Sequence, residues 1–245
     1  DGTNYINITP ITSSGGVSNP VWSPNGQFVA FTANNALFAM DPTNPGTVTP
    51  IIDPGSNPIA GVSPVWVDDD TLLFVSNVSG SYQIYTIDVN ISGQATTPVP
   101  LTSDGINYSP TRSPDGRIAF VSERNGEVAQ IYVMNADGSG QQKLSTDPRA
   151  QYDPAWSPDG QYIAYVLQFS PTDQDIYRMN ADGSNQIPMP DASTGVVENN
   201  PGWSPGSDRI IFQANGQTYI MNVDGTGATP ISTGTAQTID PTWQP

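Results

Sequence analysis

The sequence predicts an all-β fold, a β-propeller of four-stranded blades, and three observations lead there. First, one line is written six times: "NPVWSPNGQFVAFT" from Asn19, "SPVWVDDDTLLFVS" from Ser63, "SPTRSPDGRIAFVS" from Ser109, "DPAWSPDGQYIAYV" from Asp153, "NPGWSPGSDRIIFQ" from Asn200, and a stub, "DPTWQP", from Asp240. Second, the repeated prolines Pro20, Pro64, Pro110, Pro154, Pro201 and Pro241 lie 44, 46, 44, 47 and 40 residues apart, the period of a propeller blade. Third, apolar residues nowhere recur at helical spacing, and 24 prolines and 23 glycines would interrupt any helix longer than a turn.

Within a repeat the strands follow in order. "YDPAWSP", "QYIAYVLQ", "DIYRMN" and "NQIPMP" are short, partly aromatic or β-branched, and bounded by turn residues. The separators "SPDG" and "NADGSN" place Asp-Gly where a tight turn needs positive φ. Four antiparallel strands, A to D, result. The recurring Trp22, Trp66, Trp156, Trp203 and Trp243 are read as packing between neighbouring blades rather than as a sugar-stacking row, since each buries on the order of 200 Å².

Composition narrows the chemistry. A net charge of −16 and a single Lys beside six Arg exclude nucleic acid and disfavour an anionic membrane surface. With no Cys and no His, disulfides, thiolate or imidazole metal sites and the Ser-His and Cys-His nucleophile pairs are all ruled out. No apolar run approaches a membrane span, so direct membrane insertion is not expected. A surface poor in charge and rich in Thr, Ser, Asn, Gly and Pro points to an exported protein, periplasmic, extracellular or at the cell surface.

The motif "WSPDGxxIAF" followed by "IYVMNADGS" resembles the repeat of TolB-like β-propellers, a broad group that also resembles the propeller domains of prolyl-oligopeptidase-type enzymes. The likeness runs through the whole chain, is closest over residues 109–190, and is weakest where "VDDD" (Val67 to Asp70) replaces "SPDG". It implies a fold. As to activity, such propellers serve as scaffolds, binding modules and, in some members, lyases.

Blade number follows from counting. The opening "DGTNYINIT" matches the C–D turns "DGSGQQKLS" and "DGTGATPIS", and the chain closes on strand A, giving six A strands, six D strands and five B–C hairpins. Strand A lies innermost in propellers of this kind, so the expectation is six blades, the sixth incomplete and closed by the two termini, with five blades as the alternative. Residues 1–245 are read as one domain within a longer parent chain. The open sixth blade would recruit strands, which gives an expectation of self-association through that seam.

Candidate sites are few. The A–B and C–D turns share one face and repeat themselves; the D–A and B–C loops on the other face differ, which marks the side that meets a partner. The residues before each repeated Pro, Asn19, Ser63, Ser109, Asp153, Asn200 and Asp240, are expected to ring the mouth of the axial channel. Arg112 stands where the other repeats have Trp and is expected to find a carboxylate. Asp68, Asp69 and Asp70 form the one acidic cluster, a candidate for Ca2+ although its consecutive spacing suits a solvated turn better; no other cofactor is expected. Ser113 and its counterparts are turn residues, and "NIT", "NVS", "NIS" and "NYS" at Asn7, Asn77, Asn90 and Asn107 are potential glycan acceptors. The reading is a non-enzymatic, extracytoplasmic module for a protein or peptide partner; the alternative is a polysaccharide-binding or polysaccharide-cleaving propeller, against which stands the absence of the metal-binding histidines that lyases of the resembled group use.

Overall fold

The computed structural model describes residues 17–33, 36–44, 48–51, 63–90, 94–95, 97–189 and 196–231. Every regular element among them is a β-strand. The chain divides into two compact units, Asp1–Ser103 and Asp104–Pro245.

The first unit holds two blades. Blade 1 is β1 (Val17–Trp22), β2 (Val29–Ala33), β3 (Ala36–Met40) and β4 (Val48–Pro50); blade 2 is β5 (Val65–Trp66), β6 (Thr71–Ser76), β7 (Gln83–Asn90) and β9 (Val99–Pro100), with β8 (Gln94–Ala95) paired to the end of β7. The second unit holds three. Blade 3 is β10 (Asn107–Arg112), β11 (Ile118–Ser122), β12 (Gln130–Met134) and β13 (Gln142–Lys143). Blade 4 is β14 (Gln151–Trp156), β15 (Tyr162–Ser170), β16 (Asp173–Asn180) and β17 (Ile187–Pro188), and blade 5 is β18 (Glu198–Trp203), β19 (Arg209–Ala214), β20 (Gln217–Asn222) and β21 (Thr229–Pro230). All pairings within blades are antiparallel, so the A–D order read from "YDPAWSP" onward is the order found.

Among the described residues five blades are present, the alternative count. The physical reason is that B and C form the middle of every sheet, and only five repeats carry a B–C hairpin. The strands assigned to a sixth blade, in residues 1–9 and 240–245, lie outside the described residues.

Each blade has a bulky face and a small one. In every blade an aromatic residue of strand B pairs with one of strand C: Phe31–Phe38, Phe74–Tyr85, Phe120–Tyr132, Tyr165–Tyr177 and Phe212–Tyr219, with centroids 5.5–5.9 Å apart. In blades 2, 4 and 5 these pairs and the Trp of strand A look toward the preceding blade of the same unit, where Ala and aliphatic residues receive them. Trp66, Phe74 and Tyr85 pack on Ala30, Leu37 and Ala39; Trp156 and Tyr165 pack on Ala119, Ile131 and Leu144; Trp203 and Phe212 pack on Ala164, Val166 and Ile176. The indole N–H of Trp66 donates to the Val21 carbonyl at 3.2 Å, and that of Trp203 to the Ala155 carbonyl at 2.9 Å. Trp66, Trp156 and Trp203 thus lie between blades, as the repeat suggests, and Trp243 lies outside the described residues. Trp22 differs: it is 51% exposed, against 6–7% for Trp66, Trp156 and Trp203.

The outer strands are blunt. Strand D is two or three residues long in every blade, and opposite the strand-C aromatic it carries Pro50, Pro100, Lys143, Pro188 or Pro230, all exposed. Proline removes a donor and lysine resists burial, which keeps a free sheet edge from accepting another strand.

Candidate functional site

The two ends of a blade are built differently. At the A–B end the turn is almost a copy from blade to blade. The buried serine after the Trp position bonds the turn's Asn or Asp, as in Ser23 to Asn25 at 2.8 Å, Ser157 to Asp159 at 2.6 Å, Ser204 to Asp208 at 2.7 Å and Ser113 to Asp115. These serines, 0–4% exposed, are structural. The C–D turns are copies too: Asn135, Asn180 and Asn222 donate to Ser139, Ser184 and Thr226, whose backbone N–H groups donate to Asp137, Asp182 and Asp224. Those hydrogen bonds hold the three carboxyls below the ordinary aspartate value.

The opposite end varies. The B–C connection has six residues in blade 2 (77–82), seven in blade 3 (123–129) and two in blades 4 and 5 (171–172 and 215–216). In blade 4 the strands themselves lengthen, β15 to nine residues. Among the described residues, six of the eight exposed large apolar side chains, Val78, Tyr82, Ile106, Val128, Phe169 and Ile231, stand at this end of their blades.

Here strand A carries the residues singled out before each Pro. Asn19, Ser63, Ser109, Asp153 and Asn200 have φ of 51°, 68°, 49°, 48° and 51°, all in the left-handed region. Four of them coincide with a register shift: β1 slips against β2 between Ser18 and Val21, and β10, β14 and β18 slip at the equivalent place. Those four are therefore bulge residues inside the strand rather than ordinary strand starts, while Ser63 precedes β5. The left-handed conformation is tolerated by Asn and Asp and disfavoured for most others, and the following proline keeps the chain out of the right-handed helical region. In the second unit β14 lies against both β10 and β18, so Ser109, Asp153 and Asn200 sit on adjacent strands; β1 and β5 are neighbours in the first. All five are half-buried. Asp240 lies outside the described residues.

Beneath this row lies a polar layer the sequence reading missed. Two positions before the bulge stand Asn107, Gln151 and Glu198, each 0–2% exposed. Asn107 accepts from Arg124 at 3.1 Å and donates to the Asp104 carbonyl at 2.8 Å; Glu198 accepts the backbone N–H of Ile176 at 3.0 Å. Both ends of the Gln151 amide lack a protein partner. A polar residue at this place in three repeats was the available signal. Above it Tyr108 donates to Glu123 at 2.8 Å. Burial, that bond and the charges of Glu123 and Asp153 push its phenol up; burial and the same two charges push up Tyr152.

One expectation is corrected, and two further candidates are placed. Arg112 enters none of the ion pairs among the described residues, which join Arg117 to Asp115, Lys143 to Glu127 and Arg149 to Asp147, and its Nε is buried without a partner. At the end of β10 its side chain is only half-buried, so no buried counter-charge is required. Asp68, Asp69 and Asp70 do not converge: Asp68 accepts its own turn's Asp70 N–H at 2.9 Å, while Asp69 reaches blade 1 and accepts the Asn25 N–H at 2.9 Å. Among the described residues no three acidic side chains are gathered where a cation would sit. Asn107, fully buried, is closed to a glycan, whereas Asn77 is half-buried in a turn; Asn7 and the Asn90 side chain lie outside the described residues.

Comparison with known proteins fits this construction. The family described as "TolB beta propeller domain" matches residues 62–245. The chain belongs to the TolB β-propeller family. Among curated TolB relatives, a protein TolB homolog of Chlorobium luteolum is 30% identical over 167 residues, 64% of this chain and 35% of that protein. An uncharacterized peptidase of Bacillus subtilis, YuxL, is 29% identical over 140 residues, 43% of this chain and 21% of that protein. The chain thus spans well under two thirds of these relatives. The solved structure of putative TolB from Agrobacterium tumefaciens superposes with TM-score 0.74 at 20% identity, covering 88% of this chain and 80% of that one. A puromycin-hydrolyzing peptidase of Mycobacterium tuberculosis gives 0.70 at 12% identity, covering 90% and 38%. Oligogalacturonate lyase of Vibrio parahaemolyticus gives 0.60 at 16%, covering 87% and 64%. At these identities the likeness establishes the shared TolB-type fold.

Proposed function

We propose that this TolB-family chain is a non-enzymatic interaction module that meets a protein or peptide partner outside the cytoplasm. The observation that carries the reading is the division of labour within each blade. One end is a set of near-identical turns tied by internal hydrogen bonds. The other varies in loop length and, among the described residues, holds two exposed large apolar side chains in the first unit and four in the second, apolar anchors among polar loops of the kind that protein-binding surfaces use. The TolB relatives support a protein partner, and one of them, from Desulfosudis oleivorans, is described as a Tol-Pal system protein. The charge-poor, Thr- and Asn-rich surface supports the extracytoplasmic setting.

The side chains favour binding over turnover. No His or Cys is present, and the repeated serines are locked into turns. The peptidase and lyase neighbours share the fold with this chain, and residues 1–245 hold no Ser-His or Cys-His nucleophile pair.

Two measurements test the reading. With the chain as bait, substitution of Ile106, Val128 and Phe169 by Ser, all in the second unit, should release the captured protein, while Asn at Asp137, Asp182 and Asp224, at the opposite end, should not. Turnover of peptide amides or uronate oligomers by the purified chain would overturn it.

A further inference from the structure

The variable end of blade 4 carries a feature that no other blade shares. Along β15 and β16 three aromatic rings climb from core to tip: Tyr165 meets Tyr177 at 5.9 Å, and Tyr177 meets Phe169 at 6.3 Å. Phe169 is 41% exposed. The guanidinium of Arg149, from the loop before β14, lies 4.1 Å from the Phe169 ring centre. That arginine is held in place: Nε and Nη2 donate to the two oxygens of Asp147 at 2.9 and 2.5 Å, and its carbonyl accepts from Gln130 at 2.8 Å. The hairpin itself is braced, because the Gln174 N–H donates to the Val196 carbonyl at 3.1 Å and Gln174 bridges Val197. The aromatic column is thus preorganised, with little ordering left for binding.

Charge decides what it suits. Asp147 engages the one cation here, Arg149, and Asp175 lies within reach of the charges of both Asp173 and Arg149. Asp175 sits opposite Leu167 in the sheet and so shares the face of the aromatic column; burial first, then the charge of Asp173, raises its carboxyl above the ordinary value. Asp175 thus puts a carboxylate on the face that carries an exposed aromatic ring.

Resting on the interaction reading above, we infer that this platform receives an arginine-bearing stretch of the protein partner, its guanidinium stacked on the open side of Phe169 and paired with Asp175. Arginine fits both halves, since its planar cation stacks on rings and forks onto carboxylates.

The test uses the intact chain and the probe acetyl-Arg-Gly-Arg-amide, followed by aromatic NMR with Phe and Tyr labelled. The expected result is that Phe169 and Tyr177 resonances shift, and that Asp175→Asn and Phe169→Leu each weaken binding roughly fivefold. Asp224→Asn, which removes the same charge at the other end of blade 5, should leave affinity unchanged. Equal loss in Asp224→Asn and Asp175→Asn overturns the inference, because general acidity then explains binding. Shifts at Tyr108 and Tyr152 in place of Phe169 overturn it while the interaction reading stands; shifts confined to the turns around Asp137 and Asp182 overturn both.

Discussion

Substituting Phe for individual tryptophans should separate three residues that the sequence writes identically. Trp203 is 7% exposed, donates to the Ala155 carbonyl at 2.9 Å and packs on Ala164. Trp203→Phe removes that bond, worth about 1 kcal/mol net. It also leaves a void of roughly 40 Å³, adding about 1 kcal/mol, for a total of about 2 kcal/mol. Trp156 is as deeply buried, but its indole N–H has no partner; Trp156→Phe therefore relieves an unsatisfied donor while opening the same void, and a loss of about 1 kcal/mol or less is expected. Trp22 is half in water, and Trp22→Phe should fall within about 0.5 kcal/mol of the parent. The assay is urea unfolding followed by circular dichroism, with midpoint shifts compared at unchanged slope. The ordering Trp203, Trp156, Trp22 is the content of the prediction. A Trp22→Phe midpoint lowered as far as that of Trp203→Phe, or Trp156→Phe exceeding Trp203→Phe, would show that burial and the indole bond do not govern these positions.

Further predictions follow from the backbone and the turns. Ser109→Gly should stabilise slightly, by about 0.5 kcal/mol, because left-handed strain of about 1–2 kcal/mol is relieved against a loss of about 0.5–1 kcal/mol from the more flexible unfolded chain; Ser109→Val should destabilise, and equal midpoints would contradict the assigned conformation. Gly183→Ala should lower the thermal midpoint more than Gly26→Ala, since both have positive φ but a Cβ at Gly183 would lie 2.8 Å from the Leu144 carbonyl while Gly26 faces open space. Asp137, Asp182 and Asp224 have carboxyls depressed below 3.8 by their Ser and Thr partners. Their contribution is present above the unfolded value and lost as pH falls through the lower folded value, so carboxyl NMR should show them titrating below unstructured aspartate. Asp175 carries the opposite sign: its raised value opposes folding at neutral pH, so Asp175→Asn should hold or raise the midpoint at pH 7 and converge with the parent in acid.

Much of this molecule is legible in one repeat. Period, Asp-Gly turns and short aromatic runs give the four strands, and Trp between blades follows from size alone. The B–C aromatic pairs were equally available, as "AF", "LF", "AY" or "IF" in strand B and "LF", "IY" or "TY" in strand C, because facing residues in a sheet must match. The left-handed bulge was hidden by habit: a residue before proline reads as extended, and only its recurrence as Asn, Asp or Ser hints otherwise. Arg112 misled because a charge at a packing position implies a partner only if the position stays buried, and there it does not. The Asp68–Asp70 run shows the limit of spacing arguments, since neighbouring carboxylates in a turn point to different places.

The two unlike faces of each blade give the chain a direction. A blade offers aromatic bulk backwards and small residues forwards, so any blade that follows the pattern can sit behind any other, and none can be turned around. Tandem duplication of a whole repeat of 44 residues would insert a compatible piece without altering either neighbour, whatever strand the break falls in. A history of copying and drift at the loop ends, under a fixed rule at the contact faces, is the evolutionary route such asymmetry leaves open.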